Sequence, residues 1–296
     1  MRHELSSAHR TYSFSRRHEP ALTVASGDEV RLQTHDCFDN AVPHEPDAAG
    51  LRHTVPGHGN PATGPVAITG ATPGMTLRVD VLAVTCAPRG IVYAADRRTG
   101  VLDLRAPEIG ETTGLSGDLR FPLDPVIGVM GVAPAAGEVP NTTPGRHGGN
   151  LDSTELRAGA VAYFPITVPG ALFGAGDLHA LQADGEVCGM GLEVAGEIVV
   201  RLSLLPRIIC PWPLVQWPDH VSVLTAAPTL DEAADLAVAA ARDLLVAQLG
   251  VTDAEAIMLQ SMVCDLRVNQ IVDPLKGMRV SIPRTVLPQL SFEGGI

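Results

Sequence analysis

The chain predicts an α+β, β-rich protein: a multi-stranded β sandwich or barrel-like body, followed by a helical pair and returning strands. Three observations predict it. Gly 30 and Pro 24 in 296 residues break the first three quarters of the chain into short runs, as many-stranded β structure requires. Apolar and polar residues alternate within those runs. Near the C-terminus two Thr-x-x-Glu caps each open an apolar run with helical spacing.

Taken in order, ALTVA (21–25) and VRLQTHD (30–36) flank SGDE and read as a hairpin. Val30, Leu32 and Thr34 then share one face and Arg31, Gln33 and His35 the other. Asp36 stands at the inward end of that strand. MTLRVDVLAV (75–84), entered through Pro73-Gly74, and AVAYFPITV (160–168), left through Pro169-Gly170, read as strands. EVCGMGLEV (186–194), Ala195-Gly196 and EIVVRLSLL (197–205) read as a second hairpin, which puts Glu186 on a face with Cys188, Met190, Leu192 and Val194. Thr229 and Glu232 cap a helix buried along Ala233, Leu236, Ala237, Ala240 and Leu244, and Thr252 and Glu255 cap another after Gly250. DLRVNQIVD (265–273) and MRVSIP (278–283) return to strand. The unbroken apolar pattern favours one compact unit over 1–296, with a sub-boundary near 220 (β-rich 1–220, α/β 221–296) as the alternative.

Composition narrows the partners. Lys+Arg 21 against Asp+Glu 33 leaves a net charge of −12, which repels nucleic acid over most of the surface. Five scattered cysteines with no C-x-x-C pair argue against a disulfide framework and for a reducing, cytoplasmic setting. No stretch reads as an export signal or a membrane span.

The chemistry concentrates in GDLHALQADGEVCGMGLE (176–193). In an extended chain Asp177 and His179 point the same way, as do Asp184 and Glu186. Carboxylates and an imidazole at a strand end suit one divalent ion; the alternative is a solvated turn with Asx bonds. Glu186, placed at the head of an apolar face, needs a partner, because an unpaired buried carboxylate costs several kcal/mol. The same argument applies to Asp36, whose alternative is to cap backbone N–H groups. In PGRHGGNLDSTEL (144–156) the glycines Gly148 and Gly149 let backbone amides approach a ligand beside His147, Asn150 and Asp152, or else form a turn. NPATGPV (60–66) is most simply a turn, with a substrate loop as the alternative. Cys188 reads as a small core residue, with a thiol nucleophile as the alternative to metal-activated water. Lys276 is the only lysine, and no G-x-S-x-G, phosphate loop or H-E-x-x-H is present.

These segments, with THDCFDN, GNPATGPV, PIGVMGVAP, GALFGAGDLHALQADGEVCG and NQIVDP in this order, resemble the acetamidase/formamidase family from about Ser26 to Pro283. The resemblance implies a metal-associated amidohydrolase that splits short aliphatic amides into carboxylate and ammonia, on a β-rich fold found as a homodimer or larger oligomer. Asp36, Asn150, Asp152, Asp177, His179, Gln182, Asp184 and Glu186 fall on its pattern, whereas Ala183 replaces a glycine and bears on substrate choice. The expectation is therefore a divalent ion, zinc with calcium as the alternative, held by Asp36, Asp177 and His179. Glu186 serves as base, and Asn150 with the Gly148-Gly149 backbone stabilises the oxyanion. His147, Asp152 and Asp184 complete the pocket for a small neutral amide. A non-catalytic binder of metal or small molecules, and a hydrolase of larger amides or cyclic imides, are the rival readings.

Overall fold

The computed structural model describes residues 1–41, 59–93, 99–105, 111–113 and 120–285. Two large sheets face each other. The first has nine strands in the order Arg2–Leu5, Asp28–Thr34, Gly196–Leu205, Thr76–Cys86, Val161–Pro165, Leu214–Gln216, His220–Ala227, Lys276–Pro283 and Asp265–Val268. Its first pair is parallel and every other pair antiparallel. In the second sheet Val126–Gly131 lies between Gly148–Asn150 and Phe173–His179, and the latter also pairs with Ala62–Ile68 and Glu193–Val194.

The period-two pattern explains the main core. Val30, Leu32, Leu77, Val79, Ile198 and Val200 from the first sheet meet Val66, Ile68, Ile127, Met130, Phe173 and Leu178 from the second. Removing such side chains from water is worth about 1.5–3 kcal/mol each, so this interior anchors the sandwich. A second core forms where the helix Leu230–Leu249 lies on the far end of the first sheet, with Ala233, Ala237, Ala240, Ala241 and Leu244 against Leu214, Val221, Val223, Val280 and Ile282. Alanine on the buried stripe lets the helix axis approach the sheet closely. Thr229 Oγ1 accepts from Glu232 N at 3.2 Å, Gly250 ends the helix at φ 68°, and the Thr252/Glu255 capping box opens the helix Asp253–Val263. No described helix is long and apolar enough to cross a membrane.

Both expected hairpins are instead corners between the sheets. Leu22–Val24 pairs in parallel with Ala62–Ile68 in the second sheet, while Asp28–Thr34 belongs to the first. Likewise Glu193–Val194 stays in the second sheet and Gly196–Leu205 enters the first. Gly196 marks a tight approach rather than a turn: a Cβ there would lie 2.2 Å from Thr85 O and 2.9 Å from Leu178 Cδ1. Residues 186–192 form turns rather than a strand, and of 265–273 only Asp265–Val268 is strand. Both misread stretches face the same pocket.

The corner before Asp28 is tied electrostatically. The N-terminal ammonium of Met1 donates to Asp28 Oδ1, His3 Nε2 lies 2.9 Å from Oδ2, and Ala25 N donates to Oδ2 at 3.1 Å. The ammonium, then His3, then the Ala25 amide hold this carboxyl well below the usual range. A depressed folded-state pKa stabilises the fold above the unfolded value of about 3.9 and ceases to do so as pH falls through the folded value. Asp28→Asn should therefore lower the thermal midpoint at pH 7, and the gap to wild type should close as the pH is taken from 4 toward 2. Thermal melts over that range check it; a gap that persists in acid would remove the carboxylate as its source.

Candidate active site

Four polar residues at one end of the sandwich adopt the left-handed backbone region: Asn60 (φ 54°), Asp152 (φ 39°), Asp177 (φ 56°) and Glu186 (φ 46°). Such conformations cost on the order of 1–3 kcal/mol each and persist where surrounding structure imposes them. Asn and Asp tolerate the region better than Glu, so Glu186 is the most strained of the four. Glycines make the arrangement possible. A Cβ on Gly128 would stand 2.6 Å from Asp152 Oδ1 and 2.8 Å from Asp177 Oδ2, and one on Gly191 would stand 2.5 Å from His179 Cγ.

These residues converge on a cavity of about 280 Å³. Five carboxyls line it, from Asp152, Asp177, Glu186, Glu193 and Asp273, together with His179, the Cys37 thiol and the amides of Asn60 and Asn150. Gln182 orients the imidazole: Gln182 Nε2 donates to Asp152 O at 2.7 Å, which turns Gln182 Oε1 toward His179 Nδ1, also at 2.7 Å. His179 Nδ1 therefore carries hydrogen, and Nε2 faces Glu193 Oε1 at 3.2 Å, Asp177 Oδ1 at 3.7 Å and Glu186 Oε1 at 4.0 Å. Asn60 Nδ2 bridges Asp177 Oδ2 (2.8 Å) and Asn150 Oδ1 (3.1 Å), while Asn150 Nδ2 donates to both oxygens of Asp273 at 3.1 and 2.9 Å.

So many acids in so small a space govern its electrostatics. Two like charges 4 Å apart repel by about 4 kcal/mol at an effective dielectric of 20, so the five cannot all ionise without a compensating proton or cation. Burial pushes Glu186 up to about 8 and Asp273 up to about 7, and raises Glu193 against the pull of His179. Burial, then Glu186 and Asp273, lift Asp152 well above the usual range. Desolvation opposes charge on His179, yet Glu193 and Asp177 raise its pKa well above the ordinary value.

Of the residues expected from sequence, Asp177, His179, Glu186, Asn150 and Asp152 meet in this pocket. The others lie outside its lining. Asp36 Oδ1 accepts from Phe38 N (3.0 Å) and Asn40 N (2.7 Å), the capping arrangement that was its alternative. Gly148 N donates to Gly145 O at 3.1 Å and is not directed at a ligand, and Cβ atoms at 148 and 149 would strike Met130 O and Thr143 O at 2.2 and 2.3 Å. These glycines serve close packing. His147 stacks edge-on against Phe14, and burial depresses it to about 4. Asp184 is not in the lining and pairs with Arg279 at 2.7 Å. Ala183 is exposed and is not among the residues of positive φ, so its methyl constrains no left-handed turn.

Glu193, Asp273, Cys37 and Asn60 went unrecognised as site residues in the sequence. Glu193, between Leu192 and Val194, is a carboxylate inside an apolar run, but alternation puts it on the face opposite Glu186, so the expected strand offered no reason to bury it. Asp273 lay inside an expected strand, and only its turn brings it in. Gln270 Oε1 accepts from Val272 N and Asp273 N, both at 2.9 Å, and this holds that turn.

The donor set fits a divalent cation. Asp152 Oδ1, Asp177 Oδ1 and Glu193 Oε2 are buried oxygens without a hydrogen-bond partner among the described residues, each a costly group unless something positive meets it. Ligand atoms about 2.0–2.2 Å from one tetrahedral ion lie about 3.4 Å apart. The 3.2 and 3.7 Å separations of His179 Nε2 from Glu193 and Asp177 match that spacing. Ligand atoms of Cys37, Asp177 and Glu193, and separately of Asp152, His179 and Glu186, also lie within 4.8 Å of one another.

Comparison with known proteins agrees with this architecture. The model of the acetamidase/formamidase family matches residues 7–141 and 127–210. The crystal structure of an acetamidase from Bacillus halodurans is 32% identical and superposes with a TM-score of 0.92, covering 97% of this chain and 99% of that one. That of a predicted acetamidase/formamidase from Thermoanaerobacter tengcongensis is 33% identical, with TM-score 0.92 and 97% of each chain covered. A formamidase of Methylophilus methylotrophus is 42% identical over 74 residues, which are 24% of this chain and 18% of that protein. The curated relatives are thus matched over less than a fifth of their own length. With the family model matching residues 7–210, more than half of this chain, and two whole-chain structural counterparts at about a third identity, this chain belongs to the acetamidase/formamidase family.

Proposed function

We propose that this protein hydrolyses short aliphatic amides to carboxylate and ammonia, and that a divalent ion assists. The observation that carries this reading is the convergence of five carboxyls and one imidazole on a cavity of about 280 Å³. That volume admits a molecule of a few heavy atoms with several waters, at about 30 Å³ per water. Its acidic lining favours a neutral substrate and repels the carboxylate product once formed.

Asp177, His179 and Glu193 would hold the ion, with the Cys37 thiol beside them. An imidazole donor favours zinc, whereas a set drawn from the oxygens alone favours calcium. When bound, such an ion polarises an amide carbonyl and lowers the pKa of water at an open position. Glu186 supplies the proton transfers: with burial holding its carboxyl at about 8, its ionised fraction accepts a proton from attacking water, and the protonated form, which predominates near neutral pH, delivers one to the departing nitrogen. Asn150, with its amide committed to Asp273, holds that second acid in place, and Asn60 holds Asp177. Burial and the neighbouring acids Glu193, Asp177 and Asp36 hold the Cys37 thiol well above its usual range, so it stays protonated and serves poorly as a nucleophile. Cys188 Sγ donates to Met190 O at 3.4 Å, outside the pocket lining.

Ammonia release from formamide, acetamide, propionamide and longer amides tests the activity, and ring opening of a cyclic imide, which frees no ammonia and is followed as the amic acid product, tests the rival substrate. Removal of metal, verified by elemental analysis, should abolish turnover, and added zinc should restore it; full turnover in metal-free protein would refute the cation. Glu186→Gln should lower kcat by about 10²–10⁴-fold with the thermal midpoint little changed, because the amide keeps the shape of a carboxyl that burial already holds largely protonated at neutral pH. Cys188→Ala should keep most activity, and a trapped acyl-cysteine at 188 would reverse that ranking.

Gly128 offers an independent check of the same geometry. The added methyl in Gly128→Ala meets Asp152 and Asp177 at 2.6 and 2.8 Å, and overpacking of this kind costs about 1–3 kcal/mol. Activity should fall at least about a hundredfold, since roughly 1 Å of displacement at a reacting centre has that effect, while the protein stays folded. Steady-state kinetics with a thermal melt decide it, and near-wild-type kcat would mean that the two carboxylates need not sit where they do.

A further inference from the structure

Arg279, on the strand Lys276–Pro283, is 2% exposed and does not line the pocket. Its guanidinium nevertheless reaches three turns, each of which delivers one pocket acid. Nη1 and Nη2 donate to Asp184 Oδ1 (3.1 Å) and Oδ2 (2.7 Å), two residues before Glu186. Nη1 also donates to Asn269 Oδ1 (2.7 Å) and Val268 O (3.0 Å), at the start of the turn that carries Asp273. Nε lies 3.3 Å from Glu155 Oε1, three residues after Asp152.

The three turns are also bonded to one another around this cation. Thr154 Oγ1 donates to Asp184 Oδ1 at 2.8 Å and Ser153 Oγ to Asn269 Oδ1 at 3.2 Å. Gly185 N donates to Asn269 O at 2.7 Å, and Ile271 N donates to Gly185 O at 3.1 Å. Each turn is a short connection outside the named strands, so side-chain bonds rather than a strand ladder fix its place. One planar, permanently charged fork thus contacts all three.

Resting on the amidase reading above, we infer that Arg279 is a positioning residue that sets the mutual spacing of Asp152, Glu186 and Asp273 from behind the pocket. It touches no substrate. Its contribution belongs in the rate of the chemical step rather than in substrate binding, because misplaced proton-transfer groups lower kcat while an intact cavity keeps KM. Lysine cannot replace it: one ammonium cannot make the bidentate contact with Asp184 while also holding Asn269 and Val268.

Two conservative variants test this, Arg279→Lys and Asp184→Asn. The Asp184 side chain is 39% exposed, and Asp184→Asn leaves Glu155 to compensate the arginine, so that variant keeps the experiment informative even if Arg279→Lys does not fold. Both should lower kcat by about tenfold or more with KM within about twofold, and the double variant should be no worse than Arg279→Lys alone. Hydrogen exchange should accelerate together at 184–186 and 269–273, although Asp184→Asn alters only the first turn. Wild-type kcat in the folded variants, a loss confined to KM, or faster exchange at 184–186 alone would overturn the inference. If the wild-type protein releases ammonia from no amide, the amidase reading fails and exchange alone decides: joint acceleration sustains the linkage and unchanged exchange at 269–273 refutes it.

Discussion

Five buried acids around one imidazole form the constraint to which the rest of this structure answers. At an effective dielectric of 20 their mutual repulsion is several kcal/mol per close pair, comparable with the whole net stability of an ordinary domain, roughly 5–15 kcal/mol. The fold meets this cost by spreading the acids over separate elements. Asp177 comes from the strand Phe173–His179, Glu193 from a sheet corner, and Asp152, Glu186 and Asp273 from turns. Amide side chains from Asn60, Asn150 and Gln182 then orient the group without adding charge.

Two cores divide the mechanical work. The interior between the sheets holds the strands that bear Asp177, His179 and Gly128. The helix-covered core fixes Lys276–Pro283, which carries Arg279 toward the turns. The pocket is lined by residues of the second sheet, such as Asp177 and His179, and by Asp273 from the turn before Lys276–Pro283. Left-handed backbone at Asn60, Asp152, Asp177 and Glu186 is thus imposed by packing from two sides. Glycine appears where side chains would otherwise collide with the acids, at Gly128 and Gly191.

Alternation and capping are local properties, and they were legible. The strand faces around Val30 and Leu32, the strands Thr76–Cys86 and Val161–Pro165, and both helices with their threonine caps stand where the sequence places them. The hairpins failed for one reason. A short polar or Ala-Gly link between two apolar runs looks the same whether the chain doubles back in one sheet or crosses to the opposite one. What distinguishes these outcomes is the partner strand, such as Ala62–Ile68 for Leu22–Val24, and strand partners lie far apart in sequence.

The site divides along the same line. The sequence by itself determined that Asp177, His179 and Glu186 stand within ten residues of one another, and that a carboxylate on an apolar run must find company. It also determined a family pattern that runs in order along the chain. Only the tertiary structure decided which acids meet. It took Asp36 into a backbone cap and Asp184 into an ion pair with Arg279, and it brought in Glu193 from a sheet corner and Asp273 from beyond the helices. The physical reason is reach: a carboxylate acts over a few ångströms, and whether two of them come that close depends on strand order and turn geometry, which residue spacing along the chain does not contain.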